Sequence, residues 1–143
     1  MVTIGLVARF RRLTPGERRL LAAAWIGLAF ARAALALVPF RRLRAWAERG
    51  PVRPGARSGP GPERAAALVE AAASHHALAT TCLARALVLC RLLRRHGWPA
   101  RLTVGAAKDG ERLEAHAWVT CDGRTLTAGG DVGRFEALLP KGA

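Results

Sequence analysis

Thr80-Thr81-Cys82-Leu83-Ala84-Arg85-Ala86-Leu87 opens the strongest helical segment of the chain, and Ala115-His116-Ala117-Trp118-Val119 lies in an alternating segment beyond it. From Cys82 to His96 the apolar residues Leu83, Ala86, Leu87, Cys90 and Leu93 recur at helical spacing and form one stripe. Gly97 suits the left-handed position after a helix, and Pro99 prevents continuation. Arg101 to Ala106 then alternates as a strand, with a turn at Lys108-Asp109-Gly110-Glu111. Leu113 to Cys121 alternates again, Asp122-Gly123 is a hairpin turn, and Arg124 to Ala128 reads as the return strand. Arg134 to Leu139 reads as a last helical turn. Helices followed by an antiparallel hairpin predict an α+β fold.

The two quoted segments carry the chemistry. A cysteine and a distant histidine that meet in space form a nucleophile–base layout. Only the thiolate attacks carbonyls well, and a helix N-terminus favours it through unpaired N–H groups and the positive dipole end. Cys82 stands at such a position, with Thr80 or Thr81 as cap. The same N–H groups suit the oxyanion of an acyl intermediate. Cys90 falls on the apolar stripe and Cys121 ends a strand, so both read as core. Alternation puts Glu114, His116, Trp118 and Thr120 on one strand face, which a histidine satisfied by a neighbouring carbonyl would also fit. Trp118 suits either a groove wall or the core. A third residue should orient the imidazole. A two-residue turn at Asp122-Gly123 places Gly129 opposite His116, so Asp131, brought back by a bulge, is the candidate acid. His75, His76 and His96 read as solvated or structural.

The rest of the chain falls into a helical region at 1–49, a connector at 50–62 and the segment from 63 onward. Thr14-Pro15-Gly16-Glu17 has the pattern of a capping box with proline at the first helical position. Leu20 to Ala31 is apolar or glycine, Arg32 interrupts, and Ala33 to Phe40 is apolar again, followed by Arg41, Arg42 and Arg44. The stretch approaches a membrane span in length, but its charge and its many alanines fit better a helix buried on the chain, on a partner or along a membrane surface. Gly50 to Pro62 holds four prolines and four glycines, which no helix crosses. Glu63 to Ala73 is an alanine-rich helix.

The 143 residues set one domain as the default. The net charge of +13 is almost all arginine, since Lys108 and Lys141 are the lysines. That excess fits either a compositional bias or a surface for anions. No zinc-finger spacing, phosphate loop or ribonucleoprotein motif is present, so nucleic acid is not expected as a partner. Three cysteines without a CxxC pair disfavour a disulfide framework or a zinc site, and a reducing cytoplasm is expected, with the chain free or associated with a membrane.

The ordered set Cys82-Leu83-Ala84-Arg85, Leu92-Leu93-Arg94-Arg95-His96-Gly97-Trp98-Pro99, Val104-Gly105 and His116-Ala117-Trp118-Val119 resembles the transglutaminase-like cysteine peptidases of lasso-peptide biosynthesis. The match runs from about Ala79 to Leu139. It implies a papain/transglutaminase-like core, with the cysteine at a helix N-terminus packed on a small antiparallel sheet. The activity implied is that of a leader peptidase acting on a ribosomally made precursor, with Cys82 as nucleophile and His116 as base. No metal or organic cofactor is implied, and ATP belongs to a separate macrolactam cyclase. The family's acid falls where this chain reads Thr127-Ala128-Gly129-Gly130-Asp131, leaving open a displaced Asp131, a dyad, or a partner's carboxylate. Some relatives carry a winged-helix module that grips the leader. Here apolar helix and connector fill the sixty or so preceding residues, so a separate leader-binding protein is expected, docking on the Leu20–Phe40 helix and its arginines. A transglutaminase-like acyl transferase, a catalytically weak peptide-binding module and a basic protein of membrane surfaces or nucleic acid are the alternatives.

Overall fold

The computed structural model describes residues 8–50, 59–74, 81–126 and 136–137. After a helical turn at 8–11, helix α1 runs Pro15–Leu37. The Thr14 hydroxyl accepts the Glu17 N–H at 3.2 Å, and Pro15 occupies the first turn. The Glu17 carboxylate accepts instead from Arg64 of a later helix, at 2.9 Å. Leu20, Ala24, Leu28, Ala31 and Ala34, at helical spacing, form the buried stripe of α1. The helical region is broken at Pro39, whose ring forces Val38 into extended backbone (φ −120°, ψ 138°). Helix α2, Phe40–Ala47, follows the break and buries Leu43 and Ala47.

Helices α3 (Pro62–Ser74) and α4 (Cys82–Arg95) complete the helical set. Eight residues of α4 are buried, including Leu87, Val88, Leu89 and Cys90 in a row, so it is enclosed on nearly every side. It packs against α1, α2, α3 and the sheet. Gly27 is where α1 meets it. A Cβ built at Gly27 would stand 3.3 Å from a Val88 methyl, a spacing only glycine accommodates without adjustment. The C-terminus of α4 is a Schellman motif. Gly97, at φ +86°, donates to the Arg94 carbonyl at 3.1 Å, and the Trp98 N–H donates to the Leu93 carbonyl at 3.0 Å.

The sheet is antiparallel in the order β3-β2-β1-β4. Strand β1 (Ala100–Asp109) pairs with β2 (Arg112–Cys121) through a two-residue turn at Gly110-Glu111. β2 pairs with β3 (Arg124–Leu126) through Asp122-Gly123, both at positive φ (52° and 76°) as a type I′ turn requires. Ala100, Leu102, Ala117, Val119, Cys121 and Leu126 belong to the core that the helices also fill. β1 is longer than its alternating stretch because its partner pairs along the whole length. Glu136–Ala137 forms β4 on the outer edge of β1, opposite Ala106 and Gly105, where a helical turn is expected from sequence. The edge supplies unpaired backbone groups, and pairing there overrides the local preference of Glu-Ala-Leu-Leu.

Arginine and glutamate side chains tie the helices to the sheet. Glu48 accepts the Leu102 N–H at 2.9 Å, and Arg94 donates to the Ala100 carbonyl at 2.8 Å and to the Gly50 carbonyl at 3.1 Å. Arg124 of β3 pairs with Glu63 of α3. The α1–α4 seam yields a test by chemical denaturation. Leu28→Ala should cost about 2–5 kcal/mol through the cavity it leaves. Gly27→Leu should cost roughly 1–3 kcal/mol by overpacking against Val88.

Candidate active site

Cys82 is the first residue of α4. Thr81 is the N-cap, in extended backbone, and its hydroxyl accepts the Ala84 N–H at 3.2 Å. Its carbonyl accepts the Arg85 N–H at 3.1 Å. By helix geometry the two remaining first-turn donors are the N–H groups of Cys82 and Leu83. They sit at the positive end of the helix dipole, beside the Cys82 sulfur. Cys82 is half-buried and borders a small cavity of about 20 Å³, room for roughly one water molecule.

His116 borders the same cavity, together with its neighbours Ala117 and Trp118. The Trp118 ring, itself buried, stacks on the imidazole at 6.3 Å between centroids and 25° between planes. The His116 Nε2 atom is buried. In register the residue across β1 from His116 is Gly105, so the neighbouring strand presents no side chain there. Ala117, Val119 and Cys121 of the same strand join the core that α3 and α4 also fill. The cavity therefore lies where the first turn of α4 reaches β2, with α3 closing it through Ala66 and Val69.

Arg85, one turn beyond Cys82, also lines the cavity. Its guanidinium donates to both oxygens of Glu70 on α3, at 2.9 and 3.2 Å. This pair fixes α3 against the first turn of α4. Sequence reading marked Arg85 as part of a motif but gave it no role, and did not mark Glu70. The available signal was the spacing of Arg85 from Cys82, three residues on and so on the same helix face.

The other thiols behave as structure. Cys90 is fully buried, with its sulfur 3.7 Å from the Ala100 carbonyl, and burial pushes its pKa up to about 12. Cys121 is buried at the end of β2. His96 caps the end of α4, and burial followed by the charge of Arg95 lowers its pKa. Trp98 packs on the core beside that helix end. Asp131, the candidate acid, lies outside the described residues, as do His75 and His76. Among the described residues no three His, Cys, Asp or Glu side chains converge as a metal site would need.

A cysteine at the N-terminus of a central helix, with a histidine strand against it, defines an α+β fold of the cysteine-peptidase and acyltransferase type. The model of the transglutaminase-like superfamily matches residues 22–139, and the chain belongs to that superfamily. No curated protein and no solved structure matches the chain significantly.

The contrast between thiols can be read by mass-resolved alkylation. Near neutral pH, modification should fall on Cys82, while Cys90 and Cys121 stay protected until the protein unfolds. Cys90 gives a second test. Its pKa rises from 9.0 to about 12 on folding, so the unfolded chain releases this proton first as pH climbs. Stability should fall above about pH 9, by at most about 1.4 kcal/mol per pH unit from this group, and Cys90→Ala should flatten that decline in urea titrations.

Proposed function

We propose that the protein is a cysteine peptidase that removes the leader from a ribosomally synthesised lasso-peptide precursor. The observation that carries the peptidase reading is the placement of Cys82 and His116 around one cavity at the N-terminus of α4. Superfamily membership supports the thioester chemistry. The lasso-peptide assignment is supported by the ordered motifs from Cys82-Leu83-Ala84-Arg85 to His116-Ala117-Trp118-Val119.

In this reading the Cys82 thiolate attacks the carbonyl at the leader–core junction, and the oxyanion accepts from the N–H groups of Cys82 and Leu83. Collapse of the tetrahedral species breaks the C–N bond, and His116 delivers a proton to the leaving amine. His116 then takes a proton from water, which hydrolyses the thioester and returns the thiol. Arg85, held by Glu70, fixes α3 beside the first turn of α4, and Asp131 is the proposed third member that orients His116. No cofactor enters. A separate ATP-dependent cyclase closes the macrolactam afterwards. We further propose that leader recognition belongs to a separate winged-helix protein. That reading is supported by α1 and α2, which are helices packed on α4 through one face and supply no winged helix among the described residues.

Synthetic precursor incubated with the chain, with and without the leader-binding protein, tests this reading by mass spectrometry. Two free peptides are expected, and Cys82→Ala should abolish their formation. His116→Ala should slow it by about 10²–10⁴-fold. A cross-linked amide product would instead make the protein an acyl transferase, and full-rate cleavage without partner would remove the need for one.

A further inference from the structure

The inner face of α1 is committed to the core, and its outer face has another character. Ile26 is 66% exposed, Phe30 56%, Leu37 84% and Trp25 44%. With Ala22 and Ala33 they fall on one side of the helix, opposite Leu20, Ala24, Leu28, Ala31 and Ala34. The face is about 22 Å long from Ala22 to Leu37 at the usual helical rise. A helix on the surface of a water-soluble protein turns polar residues outward, whereas here the sole charge between Leu20 and Phe40 is Arg32, at the margin of the face.

Charge gathers at the two ends of that face. Arg9, Arg11, Arg12 and Arg19 are exposed before it, and Arg41 and Arg42 are exposed after it. The acids of this region are turned elsewhere: Glu17 takes Arg64, and Glu48 takes the Leu102 N–H. An apolar band with cations at both ends and a tryptophan at its edge matches a headgroup plane, which meets both ends together. The net charge of +13 adds long-range attraction to an anionic layer.

We propose that the outer face of α1 seats the protein on the surface of an anionic lipid bilayer, with Ile26, Phe30 and Leu37 entering the acyl boundary. The helix lies along the membrane and does not cross it, although its length and composition would permit a span. Crossing would strip Leu28 and Ala31 from the core they share with α3 and α4. The proposal is independent of the peptidase reading, and its test uses no activity.

Flotation of the full chain with vesicles decides it. The protein should float with mixed phosphatidylglycerol–phosphatidylcholine vesicles, far less with phosphatidylcholine alone, and less as salt rises. Ile26→Ser with Phe30→Ser should weaken partitioning by at least about tenfold. Arg41→Glu with Arg42→Glu should weaken it by about fivefold or more per residue. Ile26, Arg41 and Arg42 are exposed, so their variants leave the melting curve unchanged. Phe30 touches the Trp46 ring at 5.7 Å between centroids, so Ile26→Ser alone is the control if the double variant melts earlier. No flotation, or flotation indifferent to these substitutions or to lipid charge, overturns the proposal. So does a concentration-dependent dimer that the Ile26/Phe30 variant abolishes while vesicles go unbound, since the face would then belong to a second copy.

Discussion

Enclosure of α4 is the constraint on which the other elements depend. With Leu87, Val88, Leu89 and Cys90 all buried in succession, this helix has no solvent face through its middle. A helix apolar on all sides is stable only when something covers each side. α1 covers one through the Gly27–Val88 approach, α2 and α3 flank it, and the β1–β2 hairpin closes the last. The N-terminal helices are thus part of the same core as the sheet. Its first turn is left at the rim, where Cys82 is half-buried and the helix dipole is least compensated.

One helix therefore gives two cysteines different surroundings. Cys90, two turns inside, has its thiolate form suppressed by burial. Cys82 keeps the capped N-terminus, a neighbouring arginine and a histidine across a water-sized cavity. Placement along the helix axis sets the difference, since the residue type is the same. The hydrogen bonds from Arg85 to Glu70 do for the site what Glu48 and Arg94 do for the helix–sheet junction. They fix adjacent elements with charge-assisted bonds at distances where geometry matters.

The arginine excess divides along the same line. Arg64, Arg85, Arg91 and Arg94 are bound to carboxylates or to backbone carbonyls, and act as internal fasteners. Arg9, Arg11, Arg12, Arg19, Arg41 and Arg42 stand on the surface. Composition alone merges the two groups, because a count of charges carries no information on what each guanidinium touches.

By itself the sequence determined the features that local physics controls. These include the Thr14 cap, a threonine cap just before Cys82, the Gly97-Trp98-Pro99 stop, the Asp122-Gly123 turn and the alternation of β2. Each depends on residues within a few positions, where sterics and capping hydrogen bonds act. The cysteine–histidine pairing was legible as a candidate because residue type and setting name the chemistry. Only the tertiary structure decided that Cys82 and His116 share a cavity, that Glu70 holds Arg85, and that Glu136–Ala137 is a strand on β1. It also decided which face of α1 is buried, since an apolar helix gives no preference until its partners are in place. Those outcomes rest on contacts between residues far apart in the chain, whose energies no local pattern contains.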